Sequence, residues 1–333
     1  MAVKFTAALI ITLFLFALNL FIGAVDIPAA VVADIITGDG GSDIERFIIL
    51  KSRLPMAITA ALAGSSLAVT GLMLQTAFRN PLAGPSVLGV NSGASLGVAV
   101  VILLMGGSVG AGVSSLQGYA AVVAGAFAGS IAIMGVLIAL SSLLRNTLML
   151  LITGIMIGYL ASSVIMLLNF LSTAEGVQSY VMWGMSSFAD VTTARMPLFA
   201  VLSVAGLAMS LLLVKPLDIL MLGDGYARNM GLNVTRLRNI LLLATGLLTA
   251  TITAFCGPVA FLGLSVPHIA RLIFRTDIHR RLLPATMITG AAVALMCNIL
   301  CVLPSDTALP LNAVTPLIGA PVVIWVLLSR RQR

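Results

Sequence analysis

Long apolar runs separated by short polar segments make up almost the whole chain. The runs last about 20 residues without alternating polarity, which is the length that a helix needs to cross a hydrocarbon core of ~30 Å. A strand of an outer-membrane barrel would instead alternate over ~10 residues. The pattern predicts an all-α protein with ten membrane-spanning helices, at residues 5–25, 55–78, 86–106, 116–144, 147–171, 196–214, 239–256, 258–274, 284–303 and 314–328. Residues 1–333 therefore form one transmembrane domain.

Two of these runs carry a further signal. The first, at 5–25, is longer than the 7–15 apolar residues of a secretory signal, so we expect it to be an uncleaved span. The run at 258–274 contains Pro267 followed by His268, and a proline inside a helix removes a backbone hydrogen bond. This run is predicted to be a broken helix.

Composition supports the membrane interpretation. Hydrophobic residues make up 60% of the chain and charged residues 9%, whereas a soluble domain carries roughly 25% charged residues. The net charge is +7. The charged residues lie between the apolar runs and not on one face, which argues against nucleic acid as a partner. The predicted location is the cytoplasmic (inner) membrane, with the lipid bilayer as solvent.

Orientation follows from the basic residues. With the N-terminus in the cytoplasm, 14 of the 18 Lys and Arg residues fall in inside segments, as the positive-inside rule requires. Both termini are then cytoplasmic. Segments 26–54 and 172–195 lie outside and could receive a partner there. Segment 215–238 is the largest cytoplasmic feature, so a cytoplasmic partner should contact it.

Glycine recurs at the spacing that lets helices approach closely. Gly89, Gly93 and Gly97 follow one another at intervals of four, and the pairs Gly125/Gly129 and Gly154/Gly158 repeat the interval. Small residues on one helix face allow close backbone contact, which drives helix association in lipid. These positions are predicted to be helix-packing sites.

No Asp or Glu lies within any predicted span. Transporters coupled to protons or sodium generally place ionisable groups or broken-helix carbonyls near the midplane. This argues against proton coupling, and less strongly against an ion-coupled secondary transporter that holds sodium by carbonyls. The chain also has no G-x-x-x-x-G-K-[ST] phosphate loop. We therefore expect a transport subunit that is not an enzyme, with ATP hydrolysis on a separate ATPase subunit and no cofactor.

Two other chemistries do not fit the sequence. Ser95 with His268 could suggest an intramembrane serine protease, but Ser95 lies in the glycine stripe and Leu96 follows it where glycine is usual. Cys297 and Cys301 share a helix face without His or carboxylate neighbours, which makes a poor metal site. The sequence predicts neither a catalytic nor a metal site.

Three ordered blocks of residues resemble a known family. The first runs from Gly64 through Gly71, Gln75, Asn80, Pro81 and Gly89 to Gly93. The second runs from Gly257 to Arg271 and includes Pro267 and His268, and the third joins Leu309-Pro310 to Gly319-Ala320-Pro321. Over nearly its whole length the chain resembles the FecCD permeases, the membrane subunits of ABC importers for iron chelates, haem and vitamin B12.

The resemblance implies a type II ABC importer permease fold and a defined set of partners. These are a second copy of the chain, two cytoplasmic ATP-binding subunits and a periplasmic substrate-binding protein. It also implies a coupling loop at about 215–238, where Ala227 and Gly231 would let a short helix settle into a cleft of the ATPase. The implied coupling residues are Leu222, Gly223, Asp224, Ala227, Arg228 and Gly231.

At the outer end the chain departs from the family. Arg53-Leu54-Pro55-Met56 keeps one of two usual arginines, and Asn298 and Val302 stand where the family often has Asp and Arg. Docking of the binding protein is then expected at Arg53, helped by Lys51 and Arg46. The expected substrate is a ferric siderophore or haem, with vitamin B12 as the alternative.

Overall fold

The computed structural model describes residues 1–38, 40–104, 116–143, 147–303 and 308–330. Within these ranges the regular structure is helical and there is no β-strand. In chain order the helices are α1 (Ala2–Phe21), α2 (Ala29–Thr37), α3 (Asp43–Phe78), α4 (Val90–Leu104), α5 (Leu116–Leu143), α6 (Thr147–Leu171), α7 (Ala174–Gly184), α8 (Met196–Leu212), α9 (Val214–Met221), α10 (Asp224–Asn229), α11 (Val234–Cys256), α12 (Leu262–Phe274), α13 (His279–Val302) and α14 (Leu311–Arg330).

Every predicted span has a helix in the described chain. Six of the helices are long and apolar enough to cross a membrane. The pair α8 and α9, bent by 51°, makes a seventh span when the two are counted together. The apolar helices α4, α12 and the 311–325 part of α14 are shorter. The predicted all-α, multi-span fold is confirmed.

Two predicted boundaries were wrong for a physical reason. Helix α11 begins at Val234 instead of 239, and α13 begins at His279 instead of 284. The first turns of α11 hold Arg236 and Arg238, and those of α13 hold Arg280 and Arg281. A span predicted from hydropathy therefore leaves out these charged turns. These helices continue past the apolar core into the polar inner end.

Helix α3 is the centre of the bundle. From Leu54 to Phe78 only a few residues are not buried, and the helix packs against α1, α8, α11, α12 and α13. Small residues make these contacts close. A Cβ at Gly64 would overlap the carbonyl oxygen of Gly290 in α13, and one at Gly71 would overlap that of Gly263 in α12.

The predicted glycine stripes form the contacts between α4 and its neighbours. Gly93 and Gly97 lie against Gly129 and Gly125 of α5, backbone to backbone. Gly89, with a φ of 76°, lies against Gly154 and Gly158 of α6. The packing prediction for Gly89, Gly93 and Gly97 is confirmed.

Two of the apolar helices are short in the described part of the chain. At 1.5 Å per residue, α4 and α12 are only roughly 20 Å long. Each follows a non-helical segment, 79–89 before α4 and 257–261 before α12. Gly257 and Phe261 have φ values of 79° and 64°, which divert the chain before α12 starts. The expected break at Pro267 and His268 was wrong, because α12 is continuous from Leu262 to Phe274 with Pro267 inside it. The loss of one backbone hydrogen bond at Pro267 does not interrupt the helix, and the irregular backbone lies before it.

Contacts at the two ends of the bundle place the termini. The Lys4 ammonium donates to the carbonyl of Ile273 at the end of α12, at 2.6 Å. Helix α14 starts at the other end, where the Leu311 and Asn312 amides donate to the carbonyls of Ser186 and Met185. Its far end, about 30 Å away, therefore returns to the side of Lys4.

Candidate functional site

A polar cleft opens where the two non-helical segments, 79–89 and 257–261, meet. We call it the central cleft. Its volume is about 340 Å³. The lining comprises Ser86, Asn91, Ser92, Ser95, Ser162, Ile165, Tyr180, Pro258, Ala260 and Asn312. Most of these side chains carry a hydroxyl or an amide and none carries a charge. Irregular backbone occurs at membrane depth only where it is buried in protein or lines a cavity, and here it does both.

Hydrogen bonds hold the cleft walls together. The Asn91 amide donates to the Val259 carbonyl at 3.2 Å, and the Thr253 hydroxyl donates to the Asn91 oxygen at 3.4 Å. Ser95 of α4 and Tyr180 of α7 both line the cleft. The cleft is therefore a preformed surface whose remaining hydroxyls can exchange hydrogen bonds with a passing solute.

Residues of the family blocks form a second cluster at the inner end. The Arg271 guanidinium donates to the Gln75 side-chain oxygen at 2.7 Å, and the Gln75 amide donates to the Leu264 carbonyl at 3.1 Å. His268 donates from Nε2 to the Pro81 carbonyl at 2.9 Å. The cluster ties α3 and segment 79–89 to α12.

The remaining motif residues shape the same region. Asn80 accepts from the Leu82 amide at 2.8 Å and closes the turn after α3. Pro267 lies inside α12 and is buried. Since His268 binds a backbone carbonyl, its contact is structural, which agrees with the rejection of a serine protease.

The predicted coupling segment folds into α9, α10 and a turn that ends at Asn233. Leu222, Tyr226 and Met230 are each more than half exposed, and Arg228 is exposed beside them. These residues form an apolar surface with a basic edge at the inner end. We call Leu222, Tyr226 and Met230 the coupling surface, after the role predicted for this segment of the chain.

The expected role of Ala227 was wrong. Ala227 is completely buried and packs into the chain's own core, so it cannot enter a partner's cleft. Gly223 and Gly231 have φ values of 115° and 82°, which glycine adopts without strain. Asp224 faces inward to Arg238, at 3.2 Å. These residues shape α10, while the coupling surface lies on its other side.

A buried histidine anchors α9 to the bundle. One oxygen of the Asp218 carboxylate accepts from the His279 backbone amide at 2.7 Å and contacts its Nδ1 at 2.8 Å. The His279 Nε2 contacts the Thr76 hydroxyl at 2.8 Å. Since Thr76 belongs to α3 and His279 to α13, a displacement of α9 would act directly on two spans.

The expected docking role of Arg53 was also wrong. Its side chain is only 2% exposed. The guanidinium donates to the carbonyls of Leu20 and Phe21, at 2.8 Å each, and to that of Val25. The Leu20 and Phe21 carbonyls lie at the end of α1, where they have no partner within the helix. Arg53 therefore satisfies both of them, together with the Val25 carbonyl in the segment that follows.

The two other predicted docking residues do lie at the outer surface. Lys51 and Arg46 are exposed. Arg46 follows the first turn of α3, where the Ser42 amide and hydroxyl donate to the Glu45 carboxylate in a capping box. These bonds lower the pKa of the Glu45 carboxyl.

Comparison with known proteins gives the family directly. The profile of the FecCD transport family matches residues 11–329. The chain belongs to the FecCD transport family. It is a permease subunit of an ABC importer and a multi-pass protein of the inner membrane.

Named relatives of this FecCD permease match it along most of its length. The vitamin B12 import system permease protein BtuC of Citrobacter koseri is 34% identical over 305 residues, covering 89% of this chain and 87% of the relative. The protein of the same name from Klebsiella pneumoniae is 36% identical over 295 residues, covering 86% and 84%. A solved structure of an inward-facing, metal-chelate type ABC transporter matches with a TM-score of 0.85 and 27% identity, covering 99% of both chains.

Sequence reasoning missed the central cleft of the FecCD permease. Its signal was present, because Ser86, Asn91, Ser92 and Ser95 interrupt an otherwise apolar run. The glycine spacing of that run predicts helix packing and does not by itself point to a cleft. Tyr226 and Met230 were missed for the opposite reason, since an apolar residue in a polar loop suggests burial.

Proposed function

We propose that this permease works as a homodimer that imports a corrinoid such as vitamin B12 with energy from two ATPase subunits. The full-length similarity to two vitamin B12 permeases carries the choice of substrate. Ferric siderophores and haem, our first expectation from the sequence, become the second candidate. That candidate is favoured by the metal-chelate transporter of similar structure.

The central cleft supports transport of a large, hydrogen-bonding solute. Substrate sites of many secondary transporters lie where discontinuous helices meet, and this cleft likewise lies between the starts of α4 and α12. Its hydroxyl and amide groups can bind amide-bearing side groups weakly and in many orientations. In the dimer, two such clefts would line one pathway.

The coupling surface supports docking of an ATPase. Leu222, Tyr226 and Met230 project from the inner end without covering by the chain itself. Exposed aromatic and Met side chains are enriched at the centres of protein interfaces. Lys51 and Arg46 at the outer end remain candidates for steering the binding protein to the permease.

An uptake experiment tests the substrate. The permease, its ATPase and its binding protein are reconstituted in liposomes with ATP inside, and uptake of labelled cyanocobalamin is compared with uptake of a ferric siderophore and of haem. We expect saturable cyanocobalamin uptake that ceases when the ATPase is inactivated. Uptake of iron or haem alone would assign the second candidate, and no ATP-dependent uptake of any of the three would contradict the proposal.

A further inference from the structure

A chain of hydrogen bonds at the inner end connects the predicted coupling segment, 215–238, with the segments that line the central cleft. It begins at Asp218 in α9. Leu222 of the coupling surface follows four residues later, at the end of the same helix, which is about one helical turn away. A partner that displaces Leu222 therefore acts within one turn of Asp218.

Helix α9 is held by apolar contacts and by hydrogen bonds, and the two act differently. Leu217 and Leu220, on either side of Asp218, are completely buried in the core, and apolar burial is not directional. The Asp218 carboxylate accepts from the backbone amide and from Nδ1 of His279, at 2.7 and 2.8 Å. Hydrogen bonds weaken steeply when they are bent. These two bonds therefore fix the orientation of α9 relative to α13, which packing alone does not.

The carboxylate also sets the direction of the bonds on both sides of the imidazole ring. A carboxylate can only accept hydrogen bonds, so Nδ1 of His279 carries the proton. In the neutral ring Nε2 is then an acceptor, and the Thr76 hydroxyl, 2.8 Å away, donates to it. Because His279 is only 1% exposed, water does not compete for either nitrogen. One ring thus joins α9 to α3.

From Thr76 the contacts continue to both non-helical segments at the central cleft. The neighbouring Gln75 side chain binds the Leu264 carbonyl and the Arg271 guanidinium of α12, and the segment just before α12 lines the cleft. Ser86, in the segment that follows α3, lines it too. A shift of the inner end of α3 would therefore reach both of these segments.

We propose that His279 is the positioning residue that transmits movement of the ATPase from α9 to α3 and α13, and through them to the central cleft. The inference rests on the proposed function, which supplies an ATPase at the coupling surface. Loss of one bond of the ring leaves the coupling surface itself in place, so the ATPase still docks. ATP is then hydrolysed without the matching movement of the cleft, and more ATP is consumed for each molecule imported.

The bonds of His279 have a second effect that the test must separate from transmission. The His279 amide is the first of α13 and has no partner within the helix, so the Asp218 carboxylate stabilises the fold as a helix cap does. A role in the fold alone would lower uptake and ATP hydrolysis together, in proportion to the amount of folded complex. The number of ATP molecules hydrolysed per molecule imported, here called the coupling ratio, does not depend on that amount.

Threonine variants test the transmission. The permease, its ATPase and its binding protein are reconstituted in liposomes, and ATP hydrolysis and uptake of the labelled substrate are measured on the same vesicles. Thr76→Val removes the hydroxyl at nearly constant shape and should raise the coupling ratio at least about fivefold, the lower end of ordinary coupling between two sites. Thr76→Ser keeps a hydroxyl and should restore the wild-type ratio.

Thr286→Val in α13 is the matched control. Thr286 is also buried, and both threonine hydroxyls lie within hydrogen-bond distance of the carbonyl four residues earlier in their own helix. Within the described residues the Thr286 hydroxyl has that bond alone, whereas the Thr76 hydroxyl also contacts His279. Thr286→Val should therefore leave the coupling ratio as in wild type.

A double variant tests whether both ends act through the ring. In His279→Asn the amide nitrogen can replace Nδ1 and keep the bond to Asp218, but the shorter side chain does not reach Thr76. If the ring transmits the movement, His279→Asn, Thr76→Val and the double variant should share one raised coupling ratio, since groups in one network are not additive.

The outcomes separate this role from the proposed function. An unchanged coupling ratio in Thr76→Val, an equal rise in Thr286→Val, or single effects that multiply in the double variant overturns the transmission through His279 and leaves the proposed function intact. The threonine variants decide alone if His279→Asn yields no folded complex. A wild-type complex without ATP-dependent uptake of cyanocobalamin, ferric siderophore or haem overturns the proposed function, and the transmission with it.

Discussion

At the scale of single residues, Arg53 has a structural role in place of the docking role expected from the sequence. We predict that Arg53→Ala lowers the free energy of unfolding by about 2–4 kcal/mol, because the carbonyls of Leu20, Phe21 and Val25 lose a charged donor. Arg53→Lys should fall in between, since a lysine keeps the charge but cannot reproduce the fork of the guanidinium. Unfolding of the purified protein by a denaturing detergent measures the difference.

Lys51→Ala and Arg46→Ala are the controls for Arg53. Both side chains are exposed, so their loss should change stability by no more than about 0.5 kcal/mol. If Arg53→Ala left stability unchanged while slowing association with the binding protein, the residue would be a docking group and its buried position would be wrong.

A second residue pair tests hydrogen bonding within the bundle. Asn19 donates to the carbonyls of Leu15 and Leu295 and accepts from Asn298, which joins α1 to α13. A double-mutant cycle of Asn19→Ala and Asn298→Ala should give a coupling free energy of about 0.5–1.7 kcal/mol, the range found for polar pairs in membranes. A coupling near zero would mean that the two amides act independently.

These residues also show the limit of the sequence. The basic type of Arg53 and its position before a span were visible, but whether it points outward or toward α1 depends on a helix more than 30 residues away. The same holds for Ala227, whose burial is decided by the core beneath α10. Residue type and spacing predict candidates, whereas tertiary contacts decide which side of the element carries each one.

At the scale of elements, close helix contacts could be predicted better than sites. The spacing of Gly89, Gly93 and Gly97 is local, and one helix face follows from it directly. Its partners in α5 and α6 stand out as candidates because they repeat the same interval, but only the structure pairs them with α4. The contacts of Gly64 and Gly71 with α13 and α12 could not be predicted, since Gly290 and Gly263 stand alone without a repeat.

Helix contact can be tested by a single methyl group. Gly71→Ala should lower the free energy of unfolding by about 1–3 kcal/mol, the usual cost of overpacking, because the new Cβ meets the backbone of α12 and not a movable side chain. Gly135→Ala is the matched control. Nothing lies within 4 Å of its Cβ position in α5, so the substitution should be neutral or stabilise by up to about 1 kcal/mol. Equal effects of the two substitutions would contradict the close contact.

The coupling surface lies on α10 and on the turns at its two ends. Tyr226→Ala and Met230→Ala should each reduce the amount of ATPase that copurifies and lower uptake, while membrane insertion stays normal. Leu272→Ala, which removes a comparably exposed apolar side chain at the inner end of α12, should leave both unchanged. Normal ATPase recovery with both coupling variants would remove this surface from the proposed interface.

At the scale of the whole molecule, the distribution of charge decides the source of energy. The predicted spans hold no carboxylate that could carry a proton, and the central cleft is lined by uncharged groups. We predict that uptake into proteoliposomes depends on ATP and persists when proton and sodium gradients are collapsed by ionophores. Uptake that followed either gradient without ATP would instead assign a secondary transporter.

The central position of α3 has a consequence for the synthesis of the protein. Gly64 reaches its partner Gly290 only after 226 further residues have been made, which takes roughly 10–45 s at ordinary rates of translation. During that interval the small-residue face of α3 is in the bilayer without its final neighbours. A ribosome that stops before α11 thus leaves a chain whose central helix can still pair with another incomplete copy. Timely delivery of the later helices, or a chaperone that covers α3, becomes a condition for a correct bundle.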